Sequence, residues 1–225
     1  MTRLITTDIS DIAVNLKNYD REMAARTGCS LIGIACRAAE IDEVQIKNLL
    51  PKIRVGIIPI SSGEGIICGF GDAVLNILLY MGANAFVTCK TDVAGIAESF
   101  EKKSDIVMLA DDERFVALHI PSRSIADNSV CTGKAFATGL RLMAGSLKGR
   151  EVLVIGCGPV GRSATETLIR MGARASIYDV QVEPLKDWVK TIDQTADSKI
   201  QIVKKLDSAL QLSLIHISEP TRPTT

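Results

Sequence analysis

The six residues 156–161 have the pattern G-x-G-x-x-G and directly follow a short apolar run. The candidate cofactor-binding residues among them are Gly156, Gly158, Pro159, Val160 and Gly161. This spacing is typical of the turn between a strand and a helix that binds the diphosphate of a dinucleotide. Gly156 permits the tight turn, Gly158 lets the backbone approach the diphosphate, and Gly161 allows the helix to pack closely on the strand. The N-terminus of the helix that begins with Pro159 and Val160 offers free N–H groups to the phosphates. We call this segment the fingerprint turn.

An acidic residue ends the next apolar run. Asp179 lies 18 residues after Gly161, near the spacing of about 20 expected for the carboxylate that binds the adenosine ribose. A carboxylate there repels a 2′-phosphate, so the pattern favours NAD over NADP. Arg174 lies nearby in the sequence, so NADP remains the alternative cofactor. The alternative interpretation is a structural turn that holds no ligand, but strand, glycines, helix, strand and acid together favour cofactor binding.

Two polar loops follow other apolar runs and could bind a substrate. Their candidate residues are Ser61, Ser62, Gly63, Asp111 and Asp112. Because the carboxyl ends of parallel strands lie at one edge of a sheet, we expect the two loops to converge. The Ser-Ser-Gly turn could donate hydroxyl and N–H groups to a carboxylate, and the aspartates could neutralise an ammonium or accept its proton. The alternative is an ordinary turn and a helix cap.

The elements that must position these residues alternate between strand and helix. Residues 1–50 have apolar positions at helical spacing and predict two or three helices. Strands are then expected at 55–60, 85–89, 106–110, 151–155 and 175–178, with helices between them. This alternation predicts the α/β class, with an N-terminal helical segment and a small parallel α/β domain followed by a truncated Rossmann domain.

The domain boundaries follow from this order. We expect the N-terminal helices and an α/β substrate-side domain over 1–130, and a connecting helix and turn over 131–149. A partial Rossmann domain is expected over 150–211, and 212–225 is expected to be a non-native tail. The string L-S-L-I-H-I-S-E-P-T-R in that tail resembles the conceptual translation of a transposase sequencing adapter, and such a segment is set aside before fold reasoning.

Composition excludes several function classes. The chain has 225 residues with 47% hydrophobic, 23% charged and 4% aromatic residues, enough for a sizeable core. The 26 basic and 26 acidic residues cancel, which disfavours nucleic-acid binding. Six cysteines without a C-x-x-C pair predict reduced thiols and no metal site, and no uncharged run reaches the roughly 20 apolar residues of a membrane span. The sequence therefore predicts a soluble cytoplasmic protein.

Four segments together resemble the pyrrolysine synthase family. They are V-G-I-I-P-I-S-S-G-E-G-I-I at 55–67, M-L-A-D-D at 108–112, C-T-G at 131–133 and the fingerprint turn at 156–161. The glycine pattern alone is generic, whereas the ordered combination with the two polar loops is specific. The similarity extends over nearly all of residues 1–205.

The resemblance implies a reaction. Members of the family use NAD to oxidise the terminal amine of 3-methyl-D-ornithyl-Nε-L-lysine to an imine or aldehyde, which cyclises to pyrrolysine with loss of ammonia and water. It also implies that Ser62 and the proposed catalytic residue Asp111 bind the amino-acid head and the amine of the substrate. The family's dinucleotide domain continues further, so we expect its closing strands to be absent and an apolar edge of the sheet to be unpaired.

Two other functions remain open at this point. One is a folate-type or other amino-acid dehydrogenase, since a smaller α/β domain before a Rossmann domain is found there too. The other is a non-catalytic module that senses NAD. In all three cases the expected partners are small molecules, with no nucleic acid and no membrane, and a homodimer is one option for the oligomeric state.

Overall fold

The computed structural model describes residues 9, 11–192, 200–207 and 216–218. The chain divides into two compact units, residues 1–128 and 129–225. Each unit has its own sheet. Within the described residues, no helix is both long enough and apolar enough to cross a bilayer.

Helices occupy the first part of unit 1, as the apolar spacing predicted. They are α1 (Ile12–Thr27), α2 (Leu31–Ala38) and α3 (Glu43–Leu49), followed by a 3₁₀ turn at Leu50–Lys52. The Ser30 hydroxyl accepts a hydrogen bond from Gly33 N at the start of α2. The Asp42 carboxylate does the same for Gln45 N at the start of α3. These N-caps satisfy backbone donors that the helices leave unpaired, which explains where the two helices begin.

The sheet of unit 1 is parallel at its centre. Its strands are β1 (Arg54–Ile58), β2 (Asn84–Val87), β3 (Ile106–Ala110), β4 (Phe115–His119) and β5 (Ser124–Asp127), in the order β2-β1-β3-β4-β5. Strand β1 pairs in parallel with β2 and β3. Helices α4 (Phe70–Tyr80) and α5 (Asp92–Glu101) make the crossovers. The expected parallel α/β core is therefore confirmed.

Strands β4 and β5 extend this sheet in antiparallel fashion and were not predicted from the sequence. They pair with β3 and with each other through short local connections, which antiparallel strands permit. Strand β5 has only four residues, and Ile125 in it is 64% exposed. Such a short edge strand lacks the apolar alternation by which a half-buried strand is recognised.

Unit 2 has a parallel sheet of the Rossmann type. Its elements are α6 (Asn128–Ala144, whose first residue belongs to unit 1), β6 (Glu151–Ile155), α7 (Pro159–Arg170), β7 (Arg174–Tyr178), α8 (Val182–Thr191), β8 (Ile200–Ile202) and β9 (His216–Ser218). The strand order is β8-β7-β6-β9, with every pairing parallel. This corresponds to the order 3-2-1-4 of the first four strands in a doubly wound fold. The predicted fold class is confirmed.

Packing on both faces of β6 fixes the strand that precedes the fingerprint turn. Val152 and Val154 are buried in one cluster with Leu168 of α7, and Leu153 is buried on the other face with Val203. A strand covered on both faces reads as a continuous apolar run, which is why β6 was recognisable from the sequence.

The expected unpaired edge does not lie at β6. Strand β9 pairs in parallel with β6, with residues 153 and 155 opposite 216 and 218. The backbone N–H and C=O groups of an open strand edge are satisfied by any extended segment that reaches them. The non-native origin of 212–225 stays a prediction.

Candidate functional site

The fingerprint turn has the backbone geometry that its glycines predict. Gly156 adopts a φ of +91°, which favours glycine, and its N–H donates to Tyr178 O at 2.9 Å. A Cβ at Gly161 would collide with the carbonyl oxygen of Gly156. The third glycine is thus required for the close packing of α7 on the turn.

The start of α7 supplies the hydrogen-bond donors of this turn. Gly158 is its N-cap and Pro159 its first residue, and within the described part of the chain no side chain caps the helix. The N–H groups of the first turn, at Val160 and Gly161, have no acceptor within the helix. Backbone donors at the positive end of a helix fit a diphosphate. The backbone of the fingerprint turn therefore fits the diphosphate of a dinucleotide.

Asp179 lies at the end of β7, beside the fingerprint turn. Its Oδ2 accepts a hydrogen bond from Cys157 N at 2.6 Å, and its Oδ1 accepts one from Gln181 N at 2.7 Å. The carboxylate is half-buried and not directed away from the turn. Each oxygen retains a further lone pair for a ligand hydroxyl. Its role in binding ribose stays a prediction.

A cation at this turn was missed in the sequence. Arg162 Nε donates to Cys157 O at 3.0 Å, and its guanidinium lies 5.5 Å from the centre of the Trp188 ring. Burial raises the pKa of the Cys157 thiol to about 11, so the thiol is neutral. The signal in the sequence was the position of the arginine directly after the third glycine; its aromatic partner on α8 could not be identified from spacing.

In unit 1 the two polar loops lie together, as expected. Glu64 N donates to Asp112 Oδ2 at 2.8 Å, so the loop after β1 is joined to the loop after β3. A Cβ at Gly63 would overlap the Asp112 carboxylate, and Gly63 has a φ of +70°. Glycine is therefore needed there for both conformation and space.

Asp111 forms a turn into β4. Its Oδ1 accepts hydrogen bonds from Arg114 N at 2.7 Å and from Glu113 N at 2.9 Å. These backbone donors, from Arg114 first, hold the pKa of Asp111 below its usual range. Asp111 is consequently ionised at neutral pH and presents a fixed negative charge.

The expected donor role of Ser61 conflicts with the structure. Its N–H and its hydroxyl both donate to Asp92, at 2.8 and 2.6 Å. Neither proton is therefore available for a substrate carboxylate. Ser62 lies next in the loop, where its carbonyl accepts a hydrogen bond from Gly65 N at 3.3 Å. Asp92 was missed because it lies 31 residues from Ser61, with no motif connecting the two.

A cavity of about 240 Å³ lies at the carboxyl ends of β1 and β3. Its apolar lining includes Ile57, Ile66, Phe70, Met108 and Phe115. The rings of Phe70 and Phe115 make an edge-to-face contact with centres 5.4 Å apart. Three carboxyl residues also line it, namely Asp72, Asp111 and Asp112. The cavity thus combines an aliphatic and aromatic wall with hydrogen-bond acceptors.

Two family models match the chain, one on each unit. Residues 8–126 match the pyrrolysine biosynthesis protein PylD, N-terminal domain. Residues 129–216 match the alanine dehydrogenase/PNT, C-terminal domain. The second match agrees with the Rossmann topology of unit 2.

Among solved structures, shikimate dehydrogenase from Aquifex aeolicus superposes with a TM-score of 0.47 at 14% identity, over 74% of this chain and 68% of that one.

Two relatives are each named pyrrolysine synthase. The Methanosarcina barkeri protein is 33% identical over 181 residues, which are 80% of this chain and 65% of the relative. The Methanosarcina acetivorans protein is 35% identical over 197 residues, 87% of this chain and 72% of the relative. The chain thus spans roughly two thirds of the length of these relatives. By its N-terminal domain and by these identities, the chain belongs to the PylD family of pyrrolysine biosynthesis proteins.

Proposed function

We propose that the protein is an NAD-dependent dehydrogenase that oxidises the terminal amine of 3-methyl-D-ornithyl-Nε-L-lysine, the step that yields pyrrolysine. The observation that carries the proposal is the Asp179 carboxylate, held 2.6 Å from Cys157 N inside the fingerprint turn. In a chain of this family, that arrangement supports a redox role for unit 2.

Unit 2 supplies the cofactor site. Gly158 and the first turn of α7 would hold the diphosphate through backbone N–H groups, and Gly156 would shape the turn around it. Asp179 would accept hydrogen bonds from the adenosine ribose and repel a 2′-phosphate, which favours NAD over NADP. When bound, the nicotinamide group supplies the two-electron acceptor that the side chains lack.

Unit 1 supplies acceptors for the substrate. Asp111 and Asp112 carry negative charge at the cavity, and an ammonium group needs such partners when it leaves water. The apolar lining suits the aliphatic chain that bears the amine. The lowered pKa of Asp111 makes it better suited to hold the ammonium than to retain its proton, so the proton passes on to water.

Oxidation of the amine removes two electrons from the carbon that bears it. The ammonium first loses one proton to water, and loss of a second proton and of a hydride from its carbon then leaves an imine. A bound nicotinamide would accept that hydride. Water hydrolyses the imine to an aldehyde with release of ammonia, and condensation of the aldehyde with the α-amine releases water and closes the ring. The ammonium nitrogen must lose its positive charge before the hydride leaves, because a hydride does not leave a carbon next to an ammonium.

Turnover of 3-methyl-D-ornithyl-Nε-L-lysine, called the dipeptide below, tests this function. The chain is incubated with NAD and the dipeptide, and the reduced cofactor is followed by its near-ultraviolet absorbance. Asp111→Asn is expected to lower kcat/KM at least about tenfold, since an ionic hydrogen bond contributes about 1.5–3 kcal/mol, with the Kd for NAD unchanged. A loss of NAD affinity with full turnover at saturation would reject the role of Asp111. NAD binding without turnover of the amine would favour the sensor module instead.

A further inference from the structure

Asp92, the first residue of α5, has an unusual backbone conformation. Its φ of +53° lies in the left-handed region, which residues other than glycine, asparagine and aspartate rarely adopt. Its N–H donates to Pro59 O at 3.0 Å. The start of α5 is thereby attached to the segment that follows β1.

The Asp92 side chain completes this attachment. Oδ1 accepts from Ser61 N at 2.8 Å, and Oδ2 accepts from Ser61 Oγ at 2.6 Å. The hydrogen bond from the Ser61 hydroxyl, followed by that from its N–H, lowers the pKa of Asp92. Asp92 is therefore an ionised carboxylate that accepts both hydrogen bonds from Ser61.

The other end of the same loop is held by a second carboxylate. Glu64 N donates to Asp112 Oδ2 at 2.8 Å. Asp92 follows β2 and Asp112 follows β3, and β1 lies between these two strands. The loop is thus fixed from both neighbouring strands. Ile60 and Gly65, which flank this loop, line the cavity, and the exposed Ser61 is the residue directly after Ile60.

A serine hydroxyl offers one proton and two lone-pair positions. With the proton committed to Asp92, the Ser61 oxygen has only lone pairs left for a ligand. Donation to a carboxylate also polarises the hydroxyl and strengthens its oxygen as an acceptor. We propose that Asp92 is a positioning residue that fixes Ser61 as a hydrogen-bond acceptor, so that the loop selects the substrate's ammonium group. This inference rests on the proposed function for the identity of the ligand.

Discrimination between two ligands tests the inference. The probes are the dipeptide and an analogue in which a methyl group replaces the terminal ammonium. The ratio of the Kd of the analogue to the Kd of the dipeptide measures the preference for the ammonium ligand. Both Kd values are measured by calorimetry on the chain, alongside KM and kcat for the dipeptide. Loss of one charge-assisted acceptor is expected to lower the ratio about tenfold in Asp92→Asn and in Ser61→Ala. A general distortion of the loop would weaken both ligands alike and leave the ratio unchanged.

Asp92→Gly separates the side chain from the backbone. Glycine adopts a φ of +53° without strain but offers no carboxylate, so its ratio should match that of Asp92→Asn. A wild-type ratio in Asp92→Gly, or in Ser61→Ala, would overturn the inference. The matched control is Asp105→Asn, because Asp105 Oδ2 accepts from Arg54 N at 2.8 Å at the opposite end of β1. That variant should keep the wild-type ratio.

Failure of the proposed function is distinguishable from failure of this inference. If the wild-type chain prefers the ammonium ligand but never reduces NAD, the proposed function is rejected, and the inference is supported once Asp92→Asn lowers that preference. If wild-type turnover is normal and Asp92→Asn keeps the full preference, the inference is rejected while the proposed function remains.

Discussion

The Asp179 carboxylate accepts a hydrogen bond from the Cys157 backbone N–H at 2.6 Å, and this contact joins the end of β7 to the fingerprint turn. The adjacent ends of β6 and β7 are in register, with Ile155 opposite Tyr178. Asp179 therefore closes the turn, on the side where we propose that the cofactor binds. One residue thus combines a structural bond with the proposed contact to ribose.

Replacement of Asp179 should weaken NAD binding. Asp179→Ala removes up to two hydrogen bonds to a charged group, each of which contributes about 1.5–3 kcal/mol. We expect the Kd for NAD to rise at least about tenfold, as measured by calorimetry. Asp179→Asn keeps an acceptor without the charge, so it should lose less NAD affinity and gain affinity for NADP. An unchanged Kd in Asp179→Ala would contradict the assignment to ribose.

Two glycine-to-alanine variants should have opposite effects on stability. Gly161→Ala places a methyl group against the carbonyl oxygen of Gly156, and such overpacking costs about 1–3 kcal/mol. Gly139, inside α6, has no atom within 4 Å of the position of an added Cβ, apart from the backbone of its own helix. Gly139→Ala should therefore stabilise the protein by about 0.5–1 kcal/mol. Urea unfolding measures both effects, and equal changes in the two variants would refute the packing argument.

Glu98 should make the protein sensitive to acid. This buried carboxylate accepts hydrogen bonds from Lys102 Nζ, Cys89 N and Lys90 N, and these bonds, that of Lys102 first, lower its pKa from 4.5 to about 2. Its stabilising effect is present above the unfolded-state pKa and is lost as pH falls from about 4.5 through about 2.

The measurement is the free energy of unfolding as a function of pH. Glu98→Gln should be less stable than wild type at pH near 7 and should lose less stability on acidification. The control is Glu101→Gln, at an exposed position of the same helix, and it should follow the wild-type curve. Parallel curves for wild type and Glu98→Gln would show that other groups dominate.

The six cysteines should fall into two classes of reactivity. All are free thiols, with Cys29, Cys36 and Cys157 buried and Cys68, Cys89 and Cys131 exposed. Burial also raises the pKa of Cys36 and of Cys157, and a thiol with a raised pKa carries less reactive thiolate. A thiol reagent at neutral pH should modify the exposed group rapidly and the buried group only after denaturation. The control is Cys157→Ser. Because Cys157 belongs to the buried group, this variant should show the same extent of rapid modification as wild type.

Local patterns in the sequence were sufficient for the Rossmann unit. Strand β6, the fingerprint turn, α7 and β7 follow one another within 151–178, and their glycines and apolar runs act on near neighbours in the chain. The convergence of the loops after β1 and β3 was also predictable, since parallel strands bring their carboxyl ends to one edge.

The partners of individual side chains were decided only by the tertiary structure. Asp92 meets Ser61 across 31 residues, and Arg162 meets Trp188 across 26. The sequence alone showed that Ser61 has two hydrogen-bond donors, its N–H and its hydroxyl. Folding determined that both donate to Asp92. The reason is physical: a hydrogen bond depends on distances within about 3 Å and on angles, and these are set by how strands and helices pack, while a sequence pattern specifies only which residue types are present and how they are spaced.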